Sequence, residues 1–230
     1  MSVPGDDSLL AVVRDRQAAD CPLCFQPDAP LFFEDHRKFF RCKVCALVFV
    51  PPEHFLSPAA EKAEYDKHQN SAQDPRYRAF LSRLQDPLLQ RLAPQCHGLD
   101  FGSGPGPTLS VMFQEAGHLM EIYDPFYAPD HGVLGRKYDF ITASEVVEHL
   151  HDPRAELDRL WGCLKPGGLL GIMTKRVIDA DRFARWHYKD DPTHVCFFSP
   201  ATFHWLAERW QATFVMPAND IVIFDKPLDD

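Results

Sequence analysis

Long hydrophobic runs are absent from this 230-residue sequence. No apolar stretch approaches the ~20 residues that a helix needs to cross a bilayer, which excludes a transmembrane helix. The first 20 residues also lack the apolar core of a signal peptide, because Asp6, Asp7, Arg14 and Asp15 fall within them. We therefore expect a cytoplasmic protein that does not enter the membrane.

Positive charge is scarce as well. The sequence has 24 Lys and Arg against 33 Asp and Glu, a formal net charge of −9. Binding to a phosphate backbone needs clustered Lys and Arg, so a nucleic-acid partner is disfavoured, although a local basic patch stays open. The length suffices for one α/β domain and a small additional module.

Four of the cysteines form two close pairs, Cys21-Pro-Leu-Cys24 and Cys42-Lys-Val-Cys45. In a cytoplasmic chain such pairs indicate a metal site more than disulfides. The segments Leu31-Phe-Phe and Lys38-Phe-Phe-Arg41 predict a hairpin that brings the pairs together, so that Cys21, Cys24, Cys42 and Cys45 can bind Zn²⁺ tetrahedrally. Because the protein fills all four positions, this zinc is predicted to be structural. A redox C-x-x-C and independent free thiols are the weaker alternatives.

This zinc ribbon is assigned to residues 1–57, since Ser57-Pro58 marks its end. A charged stretch with helical spacing follows over residues 58–92 and is predicted to break at Pro75 and Pro87. We expect it to act as a linker or lid. The remaining residues, 93–230, are assigned to one larger domain.

That domain begins with a strand, a glycine loop and a helix. Asp100 lies on the predicted strand, and Gly102, Gly104 and Gly106 follow it before the helix that Pro107 opens. Such a unit begins a nucleotide-binding α/β fold, and glycines allow a ligand close to the backbone. The spacing G-x-G-x-G differs from the dinucleotide fingerprint G-x-G-x-x-G.

The loop and the preceding acid resemble motif I of the class I S-adenosylmethionine (SAM)-dependent methyltransferases. Three further segments match that family in order: a strand that ends in Asp124, Ser144-Glu-Val-Val-Glu-His-Leu150 after the strand 138–143, and the turn Lys165-Pro-Gly-Gly168. The resemblance implies an α/β fold: a Rossmann-like sheet with helices on both faces and a terminal antiparallel hairpin.

The same resemblance implies which residues bind SAM: Asp100, Gly102, Ser103, Gly104, Gly106, Asp124, Ser144 and Glu145. Asp124 would accept two hydrogen bonds from the ribose hydroxyls. Only 13 residues separate Asp124 from Tyr138, where the family usually has a helix and a strand. The sheet is therefore expected to lack one edge strand, and the acid that contacts adenine has no clear counterpart. Asp130 and His131 are weak substitutes.

Methyl transfer requires in-line placement of the acceptor and, for a protonated acceptor, a base. Glu148, His149 and His194 are the candidate bases, and a structural role is an equal alternative for Glu148 and His149. Weaker candidates for substrate contacts come from two places. Trp186, His187 and Tyr188 belong to a late aromatic segment, residues 186–200, that follows the fifth strand of the family's sheet. Tyr65 belongs to the linker. With Tyr65, the linker residues His68, Asn70 and Tyr77 are candidates for a lid.

These patterns favour an enzyme that methylates a small molecule on oxygen, nitrogen or carbon. One alternative is an RNA methyltransferase whose zinc ribbon docks RNA through four basic residues, Arg37, Lys38, Arg41 and Lys43. Another is a SAM-binding protein without catalytic activity.

Overall fold

The computed structural model describes residues 17–67 and 70–228. His68 of the predicted lid lies outside the described residues. The strands, in chain order, are β1 (Ala18–Ala19), β2 (Ala29–Glu34), β3 (Lys38–Arg41), β4 (Val48–Phe49), β5 (His97–Phe101), β6 (Leu119–Tyr123), β7 (Tyr138–Ser144), β8 (Leu164–Met173), β9 (Cys196–Phe197), β10 (Thr213–Ala218) and β11 (Ile221–Asp225). The helices are α1 (Pro58–Tyr65), α2 (Pro75–Leu89), α3 (Thr108–Glu115), α4 (Pro153–Cys163), α5 (Ala180–Ala184) and α6 (Pro200–Trp210).

The larger sheet has six strands in the order β10-β11-β8-β7-β5-β6. Strands β6, β5, β7 and β8 are parallel, and β10 and β11 form the antiparallel hairpin at one edge. Alternate side chains of each strand point to opposite faces. Phe140 therefore packs with α2 and α3, while its neighbour Ile141 packs with α4 and α6. The predicted α/β architecture is confirmed.

The edge strand missing from the sequence pattern is also missing from the structure. Between Asp124 and Tyr138 the chain forms only a 3₁₀ turn over His131–Gly135, and β6 is the last strand on that side. The segment is too short to add a crossover helix and a strand, which need a dozen or more residues.

The prediction that Pro87 breaks the linker helix is wrong. Helix α2 begins at Pro75 behind the Asp74 cap, whose side chain accepts a hydrogen bond from Arg76 N, and it continues through Pro87. A proline near the end of a helix removes one backbone hydrogen bond, and buried contacts of the apolar helix face offset that cost. One of them is so close that a Cβ on Gly171 would lie 2.8 Å from Leu88 Cδ1.

The smaller sheet has the order β1-β2-β3-β4-β9. It therefore combines four strands of the N-terminal zinc ribbon with one strand from the late part of the chain. Strand β9 comes from the late aromatic segment, yet Phe197 pairs with Val48 of β4. Phe39 of β3 also packs edge-on against Phe183 and Phe197, with ring centroids 5.1 and 5.7 Å apart. The zinc-ribbon hairpin and the late segment thus share a core, and the domain boundaries at 57 and 92 stay predictions.

None of the helices in residues 17–67 and 70–228 has the length and apolar character to span a bilayer.

Candidate functional site

A cavity of about 620 Å³ opens at the carboxyl ends of β5 and β7. The strand order reverses here, because the chain passes from β5 to β6 on one side and then to β7 on the other. Ligands of open α/β sheets bind at such switch points, and the volume lies within the ~300–1,000 Å³ of typical ligand pockets.

The glycine loop forms one wall of this cavity through Gly102, Ser103, Gly104 and Pro105. Gly102 has φ +73°, and a Cβ there would lie 2.4 Å from Val146 Cγ2. Ser103 Oγ is buried without a hydrogen-bond partner among the described atoms. A polar ligand in the cavity would supply that partner.

Gly106 does not line the cavity. Its lack of a side chain instead allows the linker backbone to approach closely. A Cβ on Gly106 would lie 2.4 Å from the backbone oxygen of Asn70. The linker therefore crosses directly over the end of the glycine loop, and Tyr65, Asn70 and Tyr77 from the predicted lid line the cavity.

Asp100 is buried beneath the loop and is not part of the cavity wall. Thr142 Oγ1 donates a hydrogen bond to Asp100 Oδ1 over 2.8 Å. Burial raises the pKa of Asp100 to about 6, against the hydrogen bonds from Thr142 and from the backbone of Ser110, which lower it. The sequence placed Asp100 among the residues that bind SAM, whereas the structure places it beneath the glycine loop and outside the cavity wall.

Asp124 lies on the cavity wall and already binds three backbone N–H groups. Oδ2 accepts from Gly104 N over 2.9 Å, and Oδ1 accepts from Phe126 N and Tyr127 N over 2.8 and 3.0 Å. A carboxylate has about four acceptor positions. One acceptor position, on Oδ2, therefore remains available to a ligand in the cavity.

Ser144, Glu145 and the segment after them form the opposite wall. Ser144 Oγ contacts Met173 Sδ at 3.4 Å. Glu145 adopts the left-handed conformation, φ +52°, which is sparsely populated by residues other than glycine and common at functional sites. Burial, and then the neighbouring Glu148, raise the pKa of Glu145 to about 8.

Glu148 lies behind this wall and is fully buried. Its Oε1 accepts a hydrogen bond from the hydroxyl of Tyr188, a residue that packs in the core and does not reach the cavity. Burial raises the pKa of Glu148 to about 7, although the Tyr188 hydrogen bond lowers it. The sequence candidate Tyr188 is thus a partner of Glu148 and makes no contact with the cavity.

His149 and His194 meet on the cavity wall, with ring centroids 4.7 Å apart. His149 Nδ1 lies 3.2 Å from Thr193 O, and its ring packs edge-on against Tyr65. His194 Nδ1 lies 2.6 Å from Tyr188 O. Burial, and secondarily the His149 charge, lower the pKa of His194 to about 4, so its imidazole is neutral at neutral pH.

Two other sequence candidates lie away from the cavity. Trp186 stacks on Tyr188 with centroids 4.9 Å apart and packs against Phe183, so its ring belongs to the shared core. His187 is exposed on a 3₁₀ turn. Packing therefore accounts for the aromatic side chain of Trp186, and His187 faces neither the core nor the cavity.

Arg37 from the β2–β3 turn fixes the segment that carries His194. It is 6% exposed and donates to the carbonyl oxygens of Lys189, Asp191, Pro192 and His194. The Lys189 ammonium also binds Asp35 of the same turn over 2.5 Å. Arg37 was predicted as part of a solvent-facing basic patch; that prediction is wrong, because its guanidinium is used inside the fold. Arg37 and these four carbonyls together form a clamp.

Several cavity residues carried no signal in the sequence. Aromatic side chains from three separate segments line the cavity beside the glycine loop: Phe80, Phe101, Tyr123, Phe126 and Tyr127. The weak adenine candidates Asp130 and His131 do not line this cavity. Single aromatic residues at strand ends look the same in a sequence whether they fill a core or face a ligand.

The four paired cysteines come together as predicted. Cys21 Sγ lies 3.5 Å from Cys45 Sγ, and Cys24 Sγ lies 3.3 Å from Cys42 Sγ. All four sulfur atoms lie within 4.8 Å of one another. Sulfur atoms around a tetrahedral zinc at ~2.3 Å are about 3.8 Å apart, so the cluster fits a Zn²⁺ ion.

Comparison with known proteins agrees with this geometry. Residues 65–215 match the family described as a methyltransferase domain. The ubiquinone biosynthesis O-methyltransferase of Cereibacter sphaeroides is 28% identical over 126 residues, which cover 51% of this chain and 50% of that protein. The chain thus spans about half the length of the curated relative that it matches.

Two solved structures are similar at low identity. An O-methyltransferase family protein from Burkholderia thailandensis has a TM-score of 0.48 at 15% identity. The match covers 74% of this chain and 63% of that protein. A SAM-dependent methyltransferase from Thermotoga maritima has a TM-score of 0.44 at 17% identity and covers 64% of this chain and 88% of its own.

Proposed function

This chain belongs to the class I SAM-dependent methyltransferases, and we propose that it methylates a small molecule bound in the cavity at the switch point. The main support is the composition of that cavity. The glycine loop and Asp124 form one wall, and Glu145, His149 and His194 lie on another. A site for a polar cofactor and a site for an acceptor therefore share one volume.

We assign SAM binding to Gly102, Ser103, Gly104 and Asp124, with Ser144 and Glu145 at the opposite wall. Ser103 Oγ and Glu145 Oε1 are both buried without hydrogen-bond partners among the described atoms. Unpaired buried polar atoms cost about 1–3 kcal/mol each, and a polar cofactor would satisfy them. When bound, SAM supplies a methyl group attached to a positively charged sulfur.

We assign the acceptor end to Tyr65, His149 and His194. An imidazole nitrogen facing the cavity can orient an acceptor hydroxyl and take its proton. Glu148 lies behind that wall, where its carboxylate accepts a hydrogen bond from the Tyr188 hydroxyl, so we assign it no direct contact with the acceptor. The relative from Cereibacter sphaeroides is an O-methyltransferase by name, which supports oxygen as the acceptor atom.

We further propose that Cys21, Cys24, Cys42 and Cys45 bind a structural Zn²⁺ ion. Their spacing fits the ion, and the set of four sulfur ligands leaves no open position for chemistry. The ion would stabilise the hairpin whose turn carries Arg37. Its contribution to the reaction is therefore indirect, through the placement of the segment that ends in His194.

Two measurements on the purified chain test the function. Isothermal titration with SAM should show binding to the wild-type chain and to His194→Ala with similar affinity. Methyl-labelled SAM incubated with a fractionated cell extract should transfer label to the small-molecule fraction, and His194→Ala should reduce that transfer at least tenfold. Label that appears only in RNA, or a chain that does not bind SAM, would contradict the proposal.

A further inference from the structure

We propose that Glu148, His149 and His194 bind a divalent transition-metal ion at the acceptor end of the cavity, separate from the four-cysteine site. One potential ligand atom from each residue lies within 4.8 Å of the other two. The inference deepens the proposed function: with the ion bound, both imidazoles would be its ligands, and the ion in place of an imidazole would contact the acceptor. The role of the ion rests on the proposed function. The existence of the site does not, because ion binding can be measured without SAM or acceptor.

Both imidazoles are oriented in the manner of metal ligands. His149 Nδ1 lies 3.2 Å from Thr193 O, and His194 Nδ1 lies 2.6 Å from Tyr188 O. A backbone carbonyl can only accept, so each Nδ1 carries a hydrogen, and Nε2 is the nitrogen that offers a lone pair to a metal when the ring is neutral. Histidines that bind metals usually donate their second ring nitrogen to a carbonyl or carboxylate in this way.

Glu148 provides a separate observation that points to a cation. The side chain is fully buried, and Oε1 is fixed by the Tyr188 hydroxyl. Oε2 is buried too and has no hydrogen bond of ordinary geometry among the described residues, although the Thr174 side chain is near enough to lower the pKa of the carboxyl. Leaving a carboxylate oxygen unpaired in the interior is costly, and a cation bound to Oε2 would remove that cost.

The frame around the cluster is held by backbone contacts. Val195 N donates to Glu148 O over 2.8 Å, and this bond ties the two ligand-bearing segments together. Arg37 binds His194 O from the other side over 3.0 Å. Neighbouring ligands of an octahedral ion at ~2.1 Å are about 3.0 Å apart, a spacing that side-chain rotation within this frame would have to supply.

The ligand set indicates the class of ion. Two imidazoles and one carboxylate suit divalent manganese, iron, cobalt or zinc. Three protein ligands leave coordination positions open, and His149 and His194 line the cavity, so those positions face the acceptor. Asp191 Oδ2 lies 3.8 Å from His194 Nε2 and could bind a metal-coordinated water. The ion would therefore favour acceptors that offer oxygen atoms.

Titration of the zinc-loaded chain with Mn²⁺, followed by electron paramagnetic resonance, tests the site. Mn²⁺ is suitable because thiolate sites prefer softer ions, so the four cysteines should not compete. We expect the wild-type chain to bind Mn²⁺ with one saturable site, and His194→Ala and Glu148→Gln to weaken that binding at least tenfold. His204→Ala, which removes an exposed histidine on α6, is the matched control and should bind as wild type does.

Two further measurements separate the outcomes. Zinc content and thermal unfolding show whether a variant is folded; Glu148→Gln has nearly the same shape as wild type and keeps an acceptor for Tyr188. Titration with SAM tests the proposed function independently. The metal site is refuted if folded wild-type chain binds neither Mn²⁺ nor Co²⁺ outside the four cysteines, or if both ligand variants bind as tightly as wild type. Normal SAM binding in that case would leave the proposed function intact.

Discussion

Replacing Arg37 with alanine should loosen the segment that carries His194 while the SAM end of the cavity stays intact. Arg37 is 6% exposed and binds the four carbonyl oxygens of the clamp. Alanine would leave these oxygens without their donor. The glycine loop and Asp124 do not contact Arg37, so their geometry should not change.

The expected size follows from the burial of the guanidinium. Hydrogen bonds from a charged donor contribute about 1.5–3 kcal/mol each, so leaving these carbonyls without the guanidinium should cost about 3–5 kcal/mol. If the lower figure falls on local opening of residues 189–194, the ratio of open to closed segment rises about 100-fold, since each 1.4 kcal/mol is a factor of ten. Arg37→Lys should recover only part of this, because an ammonium cannot reach four carbonyls in the fixed geometry of a guanidinium.

Hydrogen exchange followed by mass spectrometry measures this opening directly. Peptides covering residues 189–195 should exchange about 100-fold faster in Arg37→Ala, while peptides covering the glycine loop should not change. Lys43→Ala is the matched control, since Lys43 lies two residues beyond the end of β3, carries the same charge and is exposed. Equal exchange of residues 189–195 in Arg37→Ala and Lys43→Ala would refute the reasoning.

Three further changes have defined outcomes. Cys42→Ser should remove bound zinc and lower the temperature of unfolding, because structural zinc sites contribute folding free energy; full zinc content by elemental analysis would contradict this. Gly106→Ala should weaken SAM binding several-fold, since its Cβ would lie 2.4 Å from Asn70 O, whereas Gly162→Ala, with open space, should not. The raised pKa of Asp100, about 6, means that its protonated form stabilises the fold. This stabilisation is complete at acidic pH and is lost as the pH rises through 6, so urea unfolding should show the wild-type chain losing about 1 kcal/mol relative to Asp100→Asn between pH 5 and 7. Parallel pH profiles for the two chains would contradict the assignment.

The parts of the site that depend on local spacing could be predicted from the sequence. The cysteine pairs, the glycine loop and the strand that ends in Asp124 each occupy a few consecutive residues, and the short stretch after Asp124 correctly predicted the missing edge strand. In these segments the residues that form the local structure are also the residues that form the site.

The parts that depend on packing between distant segments could not be predicted. Arg37 looks like any basic residue in a hairpin turn until β9 pairs with β4 and brings the 189–194 carbonyls to it. Trp186 and Tyr188 have the composition of a substrate loop, but their rings fill the core that the two segments share. Proline usually ends a helix, but α2 continues through Pro87 because tertiary contacts offset the cost.

A crystal structure of the chain with S-adenosylhomocysteine tests the central claim most directly. We expect the amino-acid part of the ligand against Gly102 and Gly104, a ribose hydroxyl on Asp124 Oδ2, and the sulfur directed toward His149 and His194. Ligand density elsewhere on the chain, or none in this cavity at saturating ligand, would contradict it.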